Sequence, residues 1–299
     1  MGAWMDSGGG FGTGPGMKGV APMADPRTIS HQALDEYRDE RWHRTSQLRV
    51  TDDARAARFV EEVPCCLAFG GYSLGVPTLW VAACGERKPL FPKHSHHDRA
   101  VGLVWGAKET LVEAGVAYYG RLFLRKPSFV ARAWFPTVIA AHPEASLSPQ
   151  ADAVVNVLRQ TGPISTEEVG QRTGITDRKA LTDALSEAQG ALEVVKTEER
   201  HDPFTYVWGT LDELFAQDLR EAEGIPPAIA RRKLVRLWVN VCGAVPVRKL
   251  ASVLAWPQAM VEEAAAPLVR AGAILTGVPV EGQTGTSLVD AEVYGRLVR

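Results

Sequence analysis

From Leu147 to Gly209 the chain reads LSPQADAVVNVLRQTGPISTEEVGQRTGITDRKALTDALSEAQGALEVVKTEERHDPFTYVWG, and this stretch limits the possible folds most sharply. A helical apolar period over Pro149–Gln160 is broken at Gly162-Pro163. A helix is expected over Ser165–Thr173, with Ser165 and Glu168 spaced as a capping box and Gly174 as its stop. Another follows over Asp177–Ala188, with Thr176 as the expected cap. Two strands over Leu192–Trp208 then flank a charged loop. Helix, turn, helix and hairpin in that order make a winged helix, a module that commonly meets DNA with one short helix.

The pattern recurs. Gly162-Pro163-Ile164 aligns with Gly243-Ala244-Val245, Val169 with Leu250, Ala180 with Val261, and Gly190 with Gly272. An offset of 81 to 82 residues marks a domain-sized duplication, not a solenoid. The second copy ends in strands over Ala273–Val280 and Thr286–Val289, joined by a tip at residues 281–285.

The region before these copies has similar parts. A helix is expected over Ile29–His43, with Leu34 and Tyr37 on one face. Thr51 is placed to cap a second helix, with Ala54, Ala57, Phe59 and Val60 on its buried side. Gly70, Gly71, Gly75 and Pro77 break the next apolar run into an extended segment, a turn and a short helix over Pro77–Cys84. A helix over Asp98–Glu113, with Val101, Val104, Trp105 and Leu111 inward, leads to strands over Ala117–Leu124 and Ser128–Ala133. The expected fold is therefore α+β with three tandem winged-helix units. Their spans are 27–146, 147–210 and 227–299, with a disordered segment at 1–26 and a linker helix at 211–226.

Charge is distributed unevenly among the units. Residues 24–149 carry 16 Lys/Arg against 14 Asp/Glu, residues 150–226 carry 7 against 15, and residues 227–299 carry 9 against 5. The acidic middle unit would repel a phosphate backbone, which leaves the first and third as better DNA readers. Four cysteines without CxxC spacing fit a reducing cytoplasm, and no apolar run is long enough to span a bilayer. His94, His96, His97 and Asp98 are too crowded for one tetrahedral metal site, so a loop entering a helix is expected and no metal.

The segments FVEEVPCCLAF, VPTLW, HHDRAVGLVWGAKETL, AYYGRLFLRKPSFVARAWFPTVIAA and LSPQADAVVNVLRQTGPIST appear in an order that resembles the AlkZ-like (YcaQ-type) DNA glycosylases and their divergent relatives. The resemblance covers most of residues 50–299. It implies action on bulky alkylated bases or crosslinks in double-stranded DNA, with no metal or organic cofactor. It also implies a Gln-apolar-Asp or Gln-apolar-Gln motif in the first unit, whose side chains position the attacking water. Those positions fall at or beside Pro64, Cys65 and Cys66, and no Gln, Asp or Glu occurs between Val63 and Gly85. The chain is thus more similar to the relatives that lack the motif, and the expectation is a DNA-binding protein without glycosylase activity. Two alternatives stand beside it. One is an active glycosylase with a displaced carboxylate, Glu61 or Glu62. The other is a scaffold reused for a small molecule or a biosynthetic role, with a closed cavity lined by Cys65, Phe69 and Trp80.

Candidate DNA contacts are Tyr118, Tyr119, Arg121, Arg125 and Lys126 in the first wing, where alternation could set bases on phosphate and an aromatic on a nucleobase. The same alternation also describes a strand with its aromatics in the core. Arg178 and Lys179 open the third helix of the middle unit, while Arg248 and Lys249 lie in the basic third unit. Cys65 and Cys66 read either as reactive thiols or as small apolar core residues.

Overall fold

The computed structural model describes residues 27–143 and 146–299; the expectation for residues 1–26 lies outside them. Among the described residues no helix is long and apolar enough to cross a membrane. The chain opens with α1 (His31–Arg41), α2 (Asp53–Glu62), β1 (Cys65–Leu67), α3 (Leu79–Cys84), α4 (Arg99–Glu113), β2 (Ala117–Arg121), β3 (Pro127–Ala131) and α5 (Phe135–Ala141). The middle contains α6 (Pro149–Thr161), β4 (Ile164–Ser165), α7 (Thr166–Thr173), α8 (Arg178–Gly190), β5 (Val194–His201), β6 (Phe204–Thr210), α9 (Leu211–Leu214) and α10 (Ala216–Glu223). The last third contains α11 (Pro227–Cys242), α12 (Val247–Leu254), α13 (Gln258–Arg270), β7 (Ile274–Pro279), β8 (Thr286–Asp290) and α14 (Ala291–Leu297).

The fold is α+β, with small antiparallel sheets whose topology repeats. The first sheet has the order β1-β3-β2 and the second β4-β6-β5. In the third, Val245 bridges Leu288 of β8, which pairs in turn with β7. In each case a short segment following a helix (β1 after α2, β4 after α6, Val245 after α11) lies against the returning arm of the hairpin. Both α6 and α11 end at a glycine with positive φ, Gly162 at 70° and Gly243 at 74°, though with different ψ values of -165° and -55°.

Local chemistry sets the element ends, with some departures from the sequence reading. The capping box is present, Ser165 Oγ accepting from Glu168 N while Ser165 N donates to the Glu168 carboxylate. Asp52, not Thr51, caps α2, and Thr51 donates its hydroxyl to the Asp52 carboxylate. Asp177, not Thr176, caps α8 by accepting from Ala180 N. In both places two adjacent oxygen-bearing side chains compete, and the carboxylate makes the stronger, charge-assisted bond at the positive end of the helix. On α2 the inward positions are Ala56, Phe59 and Val60, and Ala54 is exposed. The expected linker helix is broken at Phe215, which is turned into the core.

Packing joins the ends of the chain. One continuous core runs through α2–α5 and β1–β3 into α11–α13, whereas the middle unit has a separate core around Val154, Leu158, Leu185 and Trp208. The helix α1 packs with the C-terminal hairpin: Ile29, Leu34 and Tyr37 cluster with Val278, Val280, Val289, Val293 and Leu297. It also donates to carbonyls in the last turn of α11, of which Asn240 O additionally accepts from Gly243 N. Tyr37 donates to Asn240 O at 2.8 Å, Trp42 Nε1 to Val241 O at 2.7 Å, and Arg38 Nε to Cys242 O at 3.0 Å.

Candidate nucleic-acid interface

Strand β1 occupies the position where the resemblance expects catalytic side chains. Cys65 pairs with Val130 and Cys66 with Phe129, and both thiols are buried. Burial raises both thiols well above the ordinary range, so the reactive thiolate is disfavoured. They act as small apolar core residues. Trp80 is also buried, while Phe69 lies beneath Phe91 and Trp105.

At the end of α2, Glu61 is exposed and Glu62 forms a 3.0 Å hydrogen bond with His43 Nε2. His43 has a φ of 53°, rare for a residue with a side chain, and its ring meets Phe59 edge-on at 5.2 Å. The pair lies at a cleft of about 450 Å³ between α1, α11 and α14, lined also by Tyr37, Arg41, Asn240 and Arg296. Sequence reading had singled out Glu62 but not His43. No periodicity or motif signals a residue that becomes a partner through a left-handed backbone turn.

The first hairpin divides its candidates. Tyr118 is sealed, stacked on Phe135 at 4.1 Å and edge-on to Phe215, so it cannot meet a nucleobase. The expectation for it is corrected: alternation places a side chain on a face, and here that face is the core. Tyr119 is half-buried against Phe129. Arg121, Arg125 and Lys126 are exposed. The strand stops at Arg121 because Leu124 and Arg125 take φ values of 52° and 54°, making a tight turn over Phe123–Arg125. Ser128 Oγ holds the turn, accepting from Phe123 N at 3.2 Å and donating to Lys126 O at 2.7 Å. Two consecutive left-handed side-chain-bearing residues cost about 1–2 kcal/mol each, so the surrounding packing must enforce the conformation.

Two neighbours surround this turn. On one side α12 packs against it, and the first turn of α12 carries exposed Arg248 and half-buried Lys249. On the other, Arg121 and Arg125 line a cleft of about 580 Å³ with Thr182, Asp183, Ser186 and Glu187 of α8. The first hairpin, α12 and α8 are thereby adjacent. The start of α8 contributes less: Lys179 is paired with Asp183 at 2.5 Å in full solvent exposure, and Arg178 is exposed. The buried face of α8 packs chiefly on α6, with a smaller contact to β2. Other cations of the third unit serve structure, Arg231 donating to Ala141 O and Arg236 pairing with Asp290. Lys196, which sequence reading passed over, lies 3.2 Å from the Tyr206 ring centroid. Burial lowers its ammonium pKa to about 8 against the opposing pull of Glu199.

Against known proteins, residues 51–255 match the family model described as AlkZ related. The chain belongs to the AlkZ-related family. Among solved structures the DNA glycosylase AlkZ of Streptomyces sahachiroi superposes with a TM-score of 0.59 at 12% sequence identity, over 91% of this chain and 72% of that one. At that identity the likeness is one of fold. A search of curated proteins gives no match. In this member of the AlkZ-related family β1 carries two buried thiols.

Proposed function

We propose that this AlkZ-related protein binds double-stranded DNA through the first hairpin and α12 and excises no base at β1. The packing of the Phe123–Arg125 turn against α12 supports the reading, since exposed Arg121, Arg125 and Lys126 lie on or beside the turn and Arg248 and Lys249 lie in the first turn of α12. A phosphate backbone is a line of closely spaced negative charges, and cations gathered from two elements can follow it with release of counterions. Excision at β1 would need a polar group to hold water beside a developing oxocarbenium ion, and two protonated, buried thiols offer none. The division into units 27–146, 147–210 and 227–299, linked by 211–226, belongs to this proposal, with α1 lent in space to the third. In it the acidic middle unit acts as a spacer, with Arg178 and Lys179 as peripheral contacts.

Fluorescence anisotropy with a plain duplex tests this directly. Binding should weaken steeply with salt, and Lys126→Ala with Arg248→Ala should reduce the log–log slope by roughly 2. Absence of binding at low salt rejects the proposal.

One observation favours a second reading. The His43–Glu62 pair, at a strained backbone position beside a cleft, has the composition of a general acid–base couple. Release of an alkylated base by the wild type, abolished by Glu62→Gln, would establish excision by a displaced carboxylate and overturn the first reading.

A further inference from the structure

The loop from Glu86 to His97 carries Leu90-Phe91 between Pro89 and Pro92. The prolines fix φ on both sides and stiffen the tip. Leu90 is 92% exposed and Phe91 56%, so the tip leaves apolar surface in water that burial would favour covering. Behind it is a row of rings. Phe91 meets Trp80 at 5.2 Å and Phe69 at 6.3 Å, and Phe69 meets Trp105 at 5.6 Å. Trp105, expected inward from the helical period, is 49% exposed on the outer face of α4. That helix precedes the hairpin of its unit, the position from which helix-turn-helix modules commonly address DNA.

Two further features distinguish this surface from an incidental apolar patch. Gly102 and Gly106 lie near Trp105 on α4, and a methyl group added at either would meet nothing within 4 Å beyond its chain neighbours and the backbone of its own helix. The surrounding charge is also net positive: residues 86–99 carry Lys88, Lys93 and Arg99, with Arg87 paired to Asp39, against Glu86 and Asp98. Asp98 is committed to capping α4 by accepting from Val101 N. Lys108 Nζ lies 4.3 Å from the Trp105 ring centroid, held there by Glu199. Flat aromatic rings among cations match an unpaired nucleobase flanked by phosphates, and a stiff apolar tip is the kind of side-chain wedge that parts base steps.

We propose that Leu90-Phe91 and Trp105 form a wedge and stacking platform for unpaired bases in locally opened DNA. The proposal rests on the DNA-binding reading and specifies which form of DNA this face takes.

The test compares the full chain on a paired duplex and on the same duplex with a central mismatch bubble. Wild type should prefer the bubble. Leu90→Ser with Phe91→Ser, and separately Trp105→Ala, should weaken bubble binding by about tenfold while duplex binding is unchanged. Trp105→Phe, which keeps a ring, should recover most of the loss. Leu90 is exposed enough that Leu90→Ser alone, giving a smaller loss of the same kind, guards against misfolding of the others. Equal binding of both probes by variants and wild type overturns the proposal while the DNA reading stands. So does an equal loss on both probes. So does a self-association of the wild type, seen by sedimentation, that these substitutions abolish, since the face would then serve a second copy. Failure of the wild type to bind either probe overturns both readings.

Discussion

Arg44 has no exposed side-chain surface, yet it holds two acids. Its Nη2 lies 2.9 Å from Asp39 and 3.3 Å from Asp35, and its guanidinium lies over the rings of Trp42 and Tyr72. Removing one partner of a buried set leaves the others desolvated and uncompensated. Arg44→Met is therefore expected to destabilise the fold by about 3–5 kcal/mol in urea titrations. Asp35 adds a pH dependence. Burial raises its pKa, but the 2.6 Å hydrogen bond from Tyr72 and the Arg44 charge outweigh that, and the net position is below the ordinary value of 3.8. The unfolded chain therefore takes up the proton first as the pH falls. The stabilisation from Asp35 is complete above about pH 5 and is lost as the pH drops through 3.8 toward its lower folded value. Tyr72→Phe should shrink this acid-dependent loss, as measured by stability at a series of pH values. None of this was legible in the sequence, where Arg44 is one of 33 cations and nothing marks it as buried.

Among the elements, helix ends separate what local chemistry decides from what packing decides. Asp177→Ala should cost about 1 kcal/mol, whereas Thr176→Ala should cost little, since Asp177 accepts from Ala180 N. Thermal denaturation of the two variants distinguishes the caps. The sequence located this helix start to within one residue but did not choose between adjacent cap-competent side chains. Gly243 is a packing case. Its φ of 74° ends α11, and a Cβ there would lie 2.9 Å from both Leu34 and Tyr37 of α1. Gly243→Ala should destabilise by more than about 1 kcal/mol, because the backbone strain and the clash act together. Hydrogen exchange should show α1 amides losing protection ahead of α2–α5.

For the molecule as a whole, the middle unit keeps its own core while Leu192 and Val195 reach into the larger one, and ion pairs add to that seam. Lys108 on α4 meets Glu199 on β5 at 2.5 Å, with side chains 9% and 10% exposed, and Arg132 meets Asp218 at 2.5 Å. Glu199→Gln would leave the Lys108 ammonium buried without its counter-charge, at a cost of about 3–5 kcal/mol. The middle unit should then unfold in a separate, earlier transition, visible by calorimetry and by exchange at Val154, Leu158 and Leu185. The sequence by itself determined the repeated helix–helix–hairpin order, because helical period, caps and glycine stops act within a few residues. It also determined that no carboxylate or carboxamide lies between Val63 and Gly85, since that requires only reading the residues. The tertiary structure decided that α1 completes the C-terminal unit, that His43 meets Glu62, that Tyr118 faces inward and that Trp105 faces outward. Hydrophobic burial is non-directional: a pattern shows that a face will be covered, and only the folded chain shows what covers it.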